Sequence, residues 1–308
     1  MVKFNREKIY VLDGPMGTEI QNKNLDPKLF FYDGKDCEGF NDILSITSPE
    51  VIRSIHRSYI EAGATIVETN SFNANYVSAV EYNLSNEVID KINYNSALIA
   101  KAAAGLATEE VLVAGVLGPT SKTLSLSPSV EDPSYRDIDY SDLLVAYKAA
   151  ASNLLAGGAD VIMIETIFDT LNAKAAIEAV RSLENGESVP IMISGTIVDA
   201  SGRTLSGQTV EAFWNSIKHA NPVSVGLNCA LGAEQMAPYI KQLSEIATCP
   251  ISAHPNAGLP NELGEYDQSP KAMSCHIESW AKKGYVNIVG GCCGCTPQHI
   301  REISNSVR

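Results

Sequence analysis

The stretch DVIMIETIFDTLNAKAAIEAVRSLENGESVPIMISGTIV, residues 160–198, decides the fold. It opens on an apolar run, DVIMIET (160–166), and closes on another, PIMISGTIV (190–198). Between them, residues 170–185 carry apolar side chains at helical spacing. Near-continuous Val/Ile/Leu runs, rather than alternating ones, mark parallel strands covered on both faces. The segment is therefore a strand–helix–strand unit.

The same unit recurs in both directions along the chain. Further strands are expected at IYVLDG (9–14), ATIVETN (64–70), VLVAGVLG (111–118), VSVGLNC (223–229), CPISAHPN (249–256) and YVNIVGG (285–291). Helices are expected over 48–63, 86–105, 141–157, 209–220, 232–247, 269–283 and 296–307. The first, SPEVIRSIHRSYIEAG, places Ser48 as N-cap, Pro49 at the first helical position and Gly63 as terminator. Thr296-Pro297 repeats the cap-then-proline start. Eight units in 308 residues predict an α/β fold, a (β/α)8 TIM barrel forming a single domain over residues 1–308. A doubly wound open sheet fits less well, because DGPMGTE (13–19) follows the first strand where a GxGxxG would be needed. The two longest irregular stretches, 21–47 and 119–140, both follow strands and are expected over the barrel top.

Composition narrows the function. With 23 Lys+Arg against 36 Asp+Glu, the net charge of −13 disfavours nucleic acid and anionic membranes. The start MVKFNREKIYVLDG lacks an apolar signal region, and no run reaches 18 apolar residues, so a cytoplasmic chain is expected. Seven cysteines, an odd number with six of them in the last third, point to metal or catalysis before a disulfide framework.

Barrel active sites lie at the carboxyl ends of the strands. Those ends supply Asp13, Glu68, Asn70, Glu165, Thr196, Asn228, Cys229, His254, Asn256, Cys292 and Cys293. Glu68 and Thr196 read equally well as ordinary polar residues. Cys229 ends the sixth strand and Cys292-Cys293 the eighth, in GGCCGC (290–295), so their upper ends can meet. Three thiolates suit zinc and leave a fourth tetrahedral position open; the competing reading makes them small core residues. Cys37, Cys249 and Cys275 are expected to be core residues of that kind. Cys295 stays open between spare ligand, helix-start residue and solvent-facing thiol. His56, His219, His276 and His299 fall in helices as surface or packing residues, and a packing or supporting role is expected for His254. The first βα loop, Asp13 to Thr18, can hold both ends of an amino acid. Asp13 would take the ammonium and backbone N–H groups the carboxylate, with Glu165 as a second anion; for Glu165 a buried salt bridge is the alternative.

The segments LDGPMGTEI, NDILSITSPEVIRSIHRSYIEAGATIVETNSFNAN, VAGVLGPT, IETIFDTLNAKAA, ISGTIVDASGRTLSGQT, GLNCALGA, SAHPNAGLPNELGEYD and VGGCCGCTP span nearly the whole chain. Together they resemble the homocysteine-binding, N-terminal module of cobalamin-dependent methionine synthase, within the homocysteine S-methyltransferase family. The resemblance implies Cys229, Cys292 and Cys293 as zinc ligands. It also implies Asp13 and Glu165 on the homocysteine ammonium, and the loop around Gly17 and Thr18 on its carboxylate. Asn256 looks like the oxygen ligand that fills the fourth zinc position before substrate arrives. Two positions depart from the family pattern: Pro15 where a small residue is common, and Cys295 where a hydroxyl residue is usual.

The resemblance further implies methylcobalamin as methyl donor, with cobalamin-binding and folate-binding domains or proteins as partners. No DxHxxG occurs in the 308 residues, so the cobalamin would sit on another domain or chain. Three arrangements are compatible: an excised module ending near Ser306, a module working with partner proteins, or a stand-alone methyltransferase using S-methylmethionine or betaine. A redox or homocysteine sensor with a closed four-ligand zinc, Cys295 being the fourth, is the alternative of another class.

Overall fold

The computed structural model describes residues 2–198 and 201–308; Asp199 and Ala200, within the ISGTIVDASGRTLSGQT segment, lie outside the described residues. The barrel strands are β1 (Tyr10–Val11), β2 (Ile66–Glu68), β3 (Leu112–Leu117), β4 (Val161–Ile167), β5 (Ile191–Gly195), β6 (Ser224–Gly232), β7 (Ile251–Asn256) and β8 (Ile288–Val289). They form one parallel sheet in chain order, with β8 paired to β1. A bridge between Leu12 and Ile66, with Thr65 N donating to Val11 O at 2.7 Å, brings β1 against β2 and closes the (β/α)8 barrel.

The alternation along each strand sorts the core into two layers. Val161 and Met163 of β4, Met192 of β5, Ala114 of β3 and Ile66 of β2 pack inside the barrel with Leu12, Ile288 and Phe4. Ile162 and Ile164 of β4, and Ile191 and Ile193 of β5, face the helices instead. Parity then assigns the upper residues. Glu165 continues the inward series 161, 163, and Glu68 follows Ile66; Cys292 lies beyond β8, on the loop that Gly290 and Gly291 open. Apolar side chains fill the lower barrel and polar ones inherit the same inward direction at the top.

The eight outer helices are α1 (Pro49–Glu61), α2 (Asn86–Ala104), α3 (Tyr140–Ala156), α4 (Thr170–Arg181), α5 (Val210–Ile217), α6 (Ala233–Ile246), α7 (Pro270–Lys282) and α8 (Pro297–Val307). On α1 the buried residues are Ile52, Ile55, His56 and Tyr59, the spacing that puts one stripe on the barrel. Gly63 ends this unit at φ +107°, tight against Ser304, where a side chain would collide. No helix among the described residues is long and apolar enough to cross a membrane.

Four local expectations need correction. Ser48 precedes α1 but makes no side-chain cap bond, and its buried hydroxyl has no partner. α4 stops at Arg181, where a short 3-10 turn, Gly186–Ser188, takes over after left-handed Asn185. β8 keeps only two of the seven expected residues, because Gly290 and Gly291 carry the chain over Leu12 and Cys295 rather than along the ladder. The 21–47 stretch is not wholly irregular: Phe31–Tyr32 and Lys35–Asp36 form an antiparallel hairpin across Asp33-Gly34, both with positive φ.

Candidate metal centre and substrate cavity

A cavity of about 960 Å³ opens at the carboxyl ends of the strands. Its wall includes Cys229, Cys292 and Cys293, whose sulfurs all lie within 4.8 Å of one another. Cys229 Sγ and Cys293 Sγ are 3.7 Å apart. A disulfide would need about 2 Å, whereas sulfurs on a tetrahedral zinc at about 2.3 Å stand about 3.8 Å from each other. The spacing and the all-thiol donor set therefore fit zinc. The Cys293 anion, accepting hydrogen bonds from Cys229 and Cys292, is held far below the usual thiol range, while Cys292 is pushed up.

Backbone strain aims Cys229. It has φ +62° and Ala230 has φ +58°, within a break in the β6–β7 register between Asn228 and Gly232. Such conformations cost about 1–3 kcal/mol each and persist only where neighbours enforce them. The partner loop is pinned by hydrogen bonds to both adjacent strands. Cys292 N donates to Pro255 O at 2.8 Å, and Gly291 N to Asp13 O at 3.3 Å. The Cys293 carbonyl accepts from Ala257 N at 2.9 Å. Gly294, at φ +78°, packs against Tyr266, and its N–H donates to Thr18 Oγ1 at 3.2 Å.

Three carboxyls gather beside the sulfurs. Asp13 is 1% exposed and receives Glu68 N on both oxygens, at 3.3 and 3.2 Å. Burial pushes Asp13 well above the usual carboxylate range, against the pull of that N–H. Burial, then repulsion from Glu165 and Asp13, does the same to Glu68. Glu165 is pushed up to about 7, by burial first and the Cys293 anion second. No lysine or arginine lines the cavity among the described residues. Three buried carboxyls without a protein counter-ion, held towards the neutral form by that burial, can ionise onto an incoming cationic group.

Asn228 fixes Glu165 in place. Its Nδ2 donates to Glu165 Oε2 at 3.3 Å and to Thr166 Oγ1 at 2.7 Å, and Oδ1 accepts from Thr166 N and Ser194 Oγ. Thr166 sits at φ +53° in a β4–β5 register shift, the counterpart of the break beside Cys229.

Of the residues expected at the site, Gly17, Thr18, Glu68, Asn70, Glu165, Asn228, Cys229, His254, Cys292 and Cys293 line the cavity. Asp13 lies buried beside Glu68. Gly17 and Thr18 belong to a short helix, Met16–Asn22, rather than to a loop, and border the cavity in its first turn, whose N–H groups have no intrahelical partner. Asn256 ends β7 with its Oδ1 buried and without a partner, the state expected of an oxygen awaiting a metal or ligand. Thr196 turns away, giving its hydroxyl to Asn228 O at 3.0 Å. His254 is 2% exposed, and neither ring nitrogen has a partner.

The remaining cysteines separate cleanly. Cys37 is a core residue and Cys249 is half-buried, whereas Cys275 is exposed, because Met273, Ser274 and Ile277 hold the inner face of α7. Cys295 is fully buried beneath the site, its Sγ 3.7 Å from Pro255 O and 3.5 Å from Met273 Sδ, and it is outside the sulfur cluster. His56 packs inside α1 against the barrel and His219 is exposed. Asp42, Phe72, Asn73, Thr166 and Tyr266 also line the cavity, and no strand-end argument reached them except as neighbours. Tyr266 packs against Gly294, next to Cys293; its GEYD context carried no chemistry that could be read alone.

This architecture has known relatives. The chain belongs to the homocysteine S-methyltransferase family, whose family model matches residues 10–307. Among solved structures, it is similar to the homocysteine methyltransferase MmuM from Escherichia coli. The oxidized form matches with a TM-score of 0.76 at 21% identity, covering 96% of this chain and 95% of that one. The metallated form gives 0.76 at 20%, covering 97% and 96%. The apo form gives 0.72 at 20% over the same shares. At these identities the structural likeness establishes the barrel; the family match assigns methyl transfer involving homocysteine.

Proposed function

We propose that this chain presents the homocysteine sulfur for methylation to methionine, using a zinc held by Cys229, Cys292 and Cys293. It does so as the homocysteine module of a cobalamin-dependent methionine synthase, the methyl group arriving on methylcobalamin carried by another domain or chain. The observation that carries the reading is one cavity with three sulfurs at metal-binding spacing beside three carboxyls that lack a counter-ion. The likeness to the metallated MmuM barrel supports the metal.

The protein's own groups act by binding and orientation. Asp13 and Glu165 take the substrate ammonium, and the first-turn N–H groups around Gly17 and Thr18 take its carboxylate. With both ends fixed, the thiol points to the cysteine cluster. Zinc bound there supplies the thiolate form of a thiol whose free pKa of about 8.5 would leave it mostly protonated. Asn256, with its buried and unpartnered Oδ1, would offer that zinc an oxygen in the absence of substrate. In the transfer, a sulfur lone pair forms the new S–C bond, and the donor keeps the electron pair of the bond that breaks. The product sulfur is then a neutral thioether, which would bind a metal held by the three cysteines less well than the thiolate.

A stand-alone S-methyltransferase using S-methylmethionine or betaine is the second reading. It is favoured by the lining itself, where Asp42 and Glu68 but no lysine or arginine face the cavity. The sensor reading loses its fourth ligand, since Cys295 stands outside the cluster. Supplying zinc-loaded protein with homocysteine and each donor in turn, and measuring methionine, tests the proposal. Turnover with methylcobalamin supports the first reading and turnover with S-methylmethionine or betaine the second. No methionine from any donor overturns both.

A further inference from the structure

We propose that Glu68 is the third acceptor for the substrate's primary ammonium, completing with Asp13 and Glu165 a seat that selects a primary amine. The inference rests on the homocysteine reading above and adds a specificity-determining residue to it.

An alkylammonium carries three N–H donors in a fixed tetrahedral fan and has no acceptor. Two carboxylates leave one donor without a charged partner. Glu68 ends β2, inward by the same parity as Ile66, and lies close enough to Asp13 and Glu165 to repel both. Its Oε1 is buried without a hydrogen-bond partner, although Glu68 lines the cavity. A buried carboxylate oxygen with no donor in the protein costs free energy unless a ligand supplies one. The other two carboxyls are already anchored: Asp13 accepts the Glu68 N–H, and Glu165 accepts from Asn228. Glu68 alone keeps its side chain uncommitted.

A second observation points the same way. His254, 2% exposed, also lines this cavity with both ring nitrogens unpaired. A polar ligand in the cavity would give these nitrogens a partner. Three anions converging on one cation also explain why no lysine or arginine enters the lining: it would occupy the ammonium's place. N-methylation or loss of the amine would remove a donor from a seat shaped for three.

The test compares homocysteine with its des-amino analogue, 4-sulfanylbutanoate, on zinc-loaded wild-type protein and on Glu68→Gln, by calorimetric titration. Wild-type protein should bind homocysteine more tightly than the analogue, and failure to bind homocysteine at all would sink the underlying functional reading instead. Glu68→Gln should weaken homocysteine at least about tenfold, the loss of one charge-assisted hydrogen bond. It should leave the analogue unchanged. Equal homocysteine affinity in variant and wild type, or equal losses for both ligands, would overturn the proposal. Should the variant fail to hold zinc, N-methylhomocysteine on wild-type protein decides: weaker binding than homocysteine supports the three-acceptor seat, and equal binding overturns it.

Discussion

Asn228 and Thr166 exchange two hydrogen bonds across the barrel top: Thr166 N donates to Asn228 Oδ1 at 3.0 Å, and Asn228 Nδ2 donates to Thr166 Oγ1 at 2.7 Å. The pair ties the bulge beside Glu165 to the bulge beside Cys229. The buried carboxyls and the sulfur cluster are thereby joined through one hydrogen-bonded pair.

Asn228→Ala should therefore damage both halves at once. It strands the Thr166 N–H and the Ser194 hydroxyl, and should cost about 2–3 kcal/mol of stability in urea unfolding. Homocysteine affinity should fall at least about tenfold, since Glu165 loses its anchor. Undiminished affinity in a titration would show that Glu165 does not depend on Asn228.

Cys293→Ser removes the sulfur that accepts from the other two thiols. Zinc content after dialysis should drop well below one per chain, and homocysteine binding should go with it. Wild-type zinc content together with wild-type homocysteine binding would refute the ligand assignment.

Cys295→Ala separates a buried packing thiol from a metal ligand. The structure assigns packing, so zinc should remain at one per chain while stability falls by about 1–2 kcal/mol from the small cavity left behind. Zinc loss with unchanged stability would restore the four-sulfur reading.

Asp42 gives a pH signature. It is 2% exposed, accepts Asn73 N at 2.8 Å, and burial pushes its carboxyl up to about 7. Below the unfolded value near 4 both states are protonated and the group contributes nothing. As pH rises towards 7, the unfolded chain has released a proton that the native state still holds, so stability falls. Asp42→Asn removes that loss. Its melting temperature should match wild type near pH 4 and exceed it at pH 8, by the equivalent of up to about 4 kcal/mol. Identical melting temperatures at pH 8 would mean that Asp42 ionises without penalty.

The barrel and the cysteine cluster were legible because each has a local signature. Eight apolar runs separated by helical periodicity mark the strands, and their carboxyl ends bring Glu68, Glu165 and the cysteines to the barrel top. The hairpin at 31–36 was not expected, although Asp33-Gly34 is a turn signal between two short strands. Left-handed Thr166, Cys229 and Ala230 were not. A β-branched residue, a cysteine and an alanine carry no preference for that conformation, which the surrounding hydrogen bonds impose. For the same reason the sequence could list Asn228 among strand-end residues but not reveal what it joins. Glu68 could not be told from an ordinary polar residue until its oxygen was found buried and unpaired.

The brevity of β8 has a mechanical consequence. Two residues pair it to β1 and the same two pair it to β7, so the final seam of the barrel hangs on a very short ladder. The loop that leaves β8 carries Cys292 and Cys293, while Cys229 stands on β6, one strand beyond β7. A metal ion gripped by all three would act as a rivet through the seam, linking neighbours that the sheet alone holds lightly. Ion loading and barrel closure would then be a single step, and hydrogen exchange of the amides at Ile288 and Val289 would slow when zinc is added.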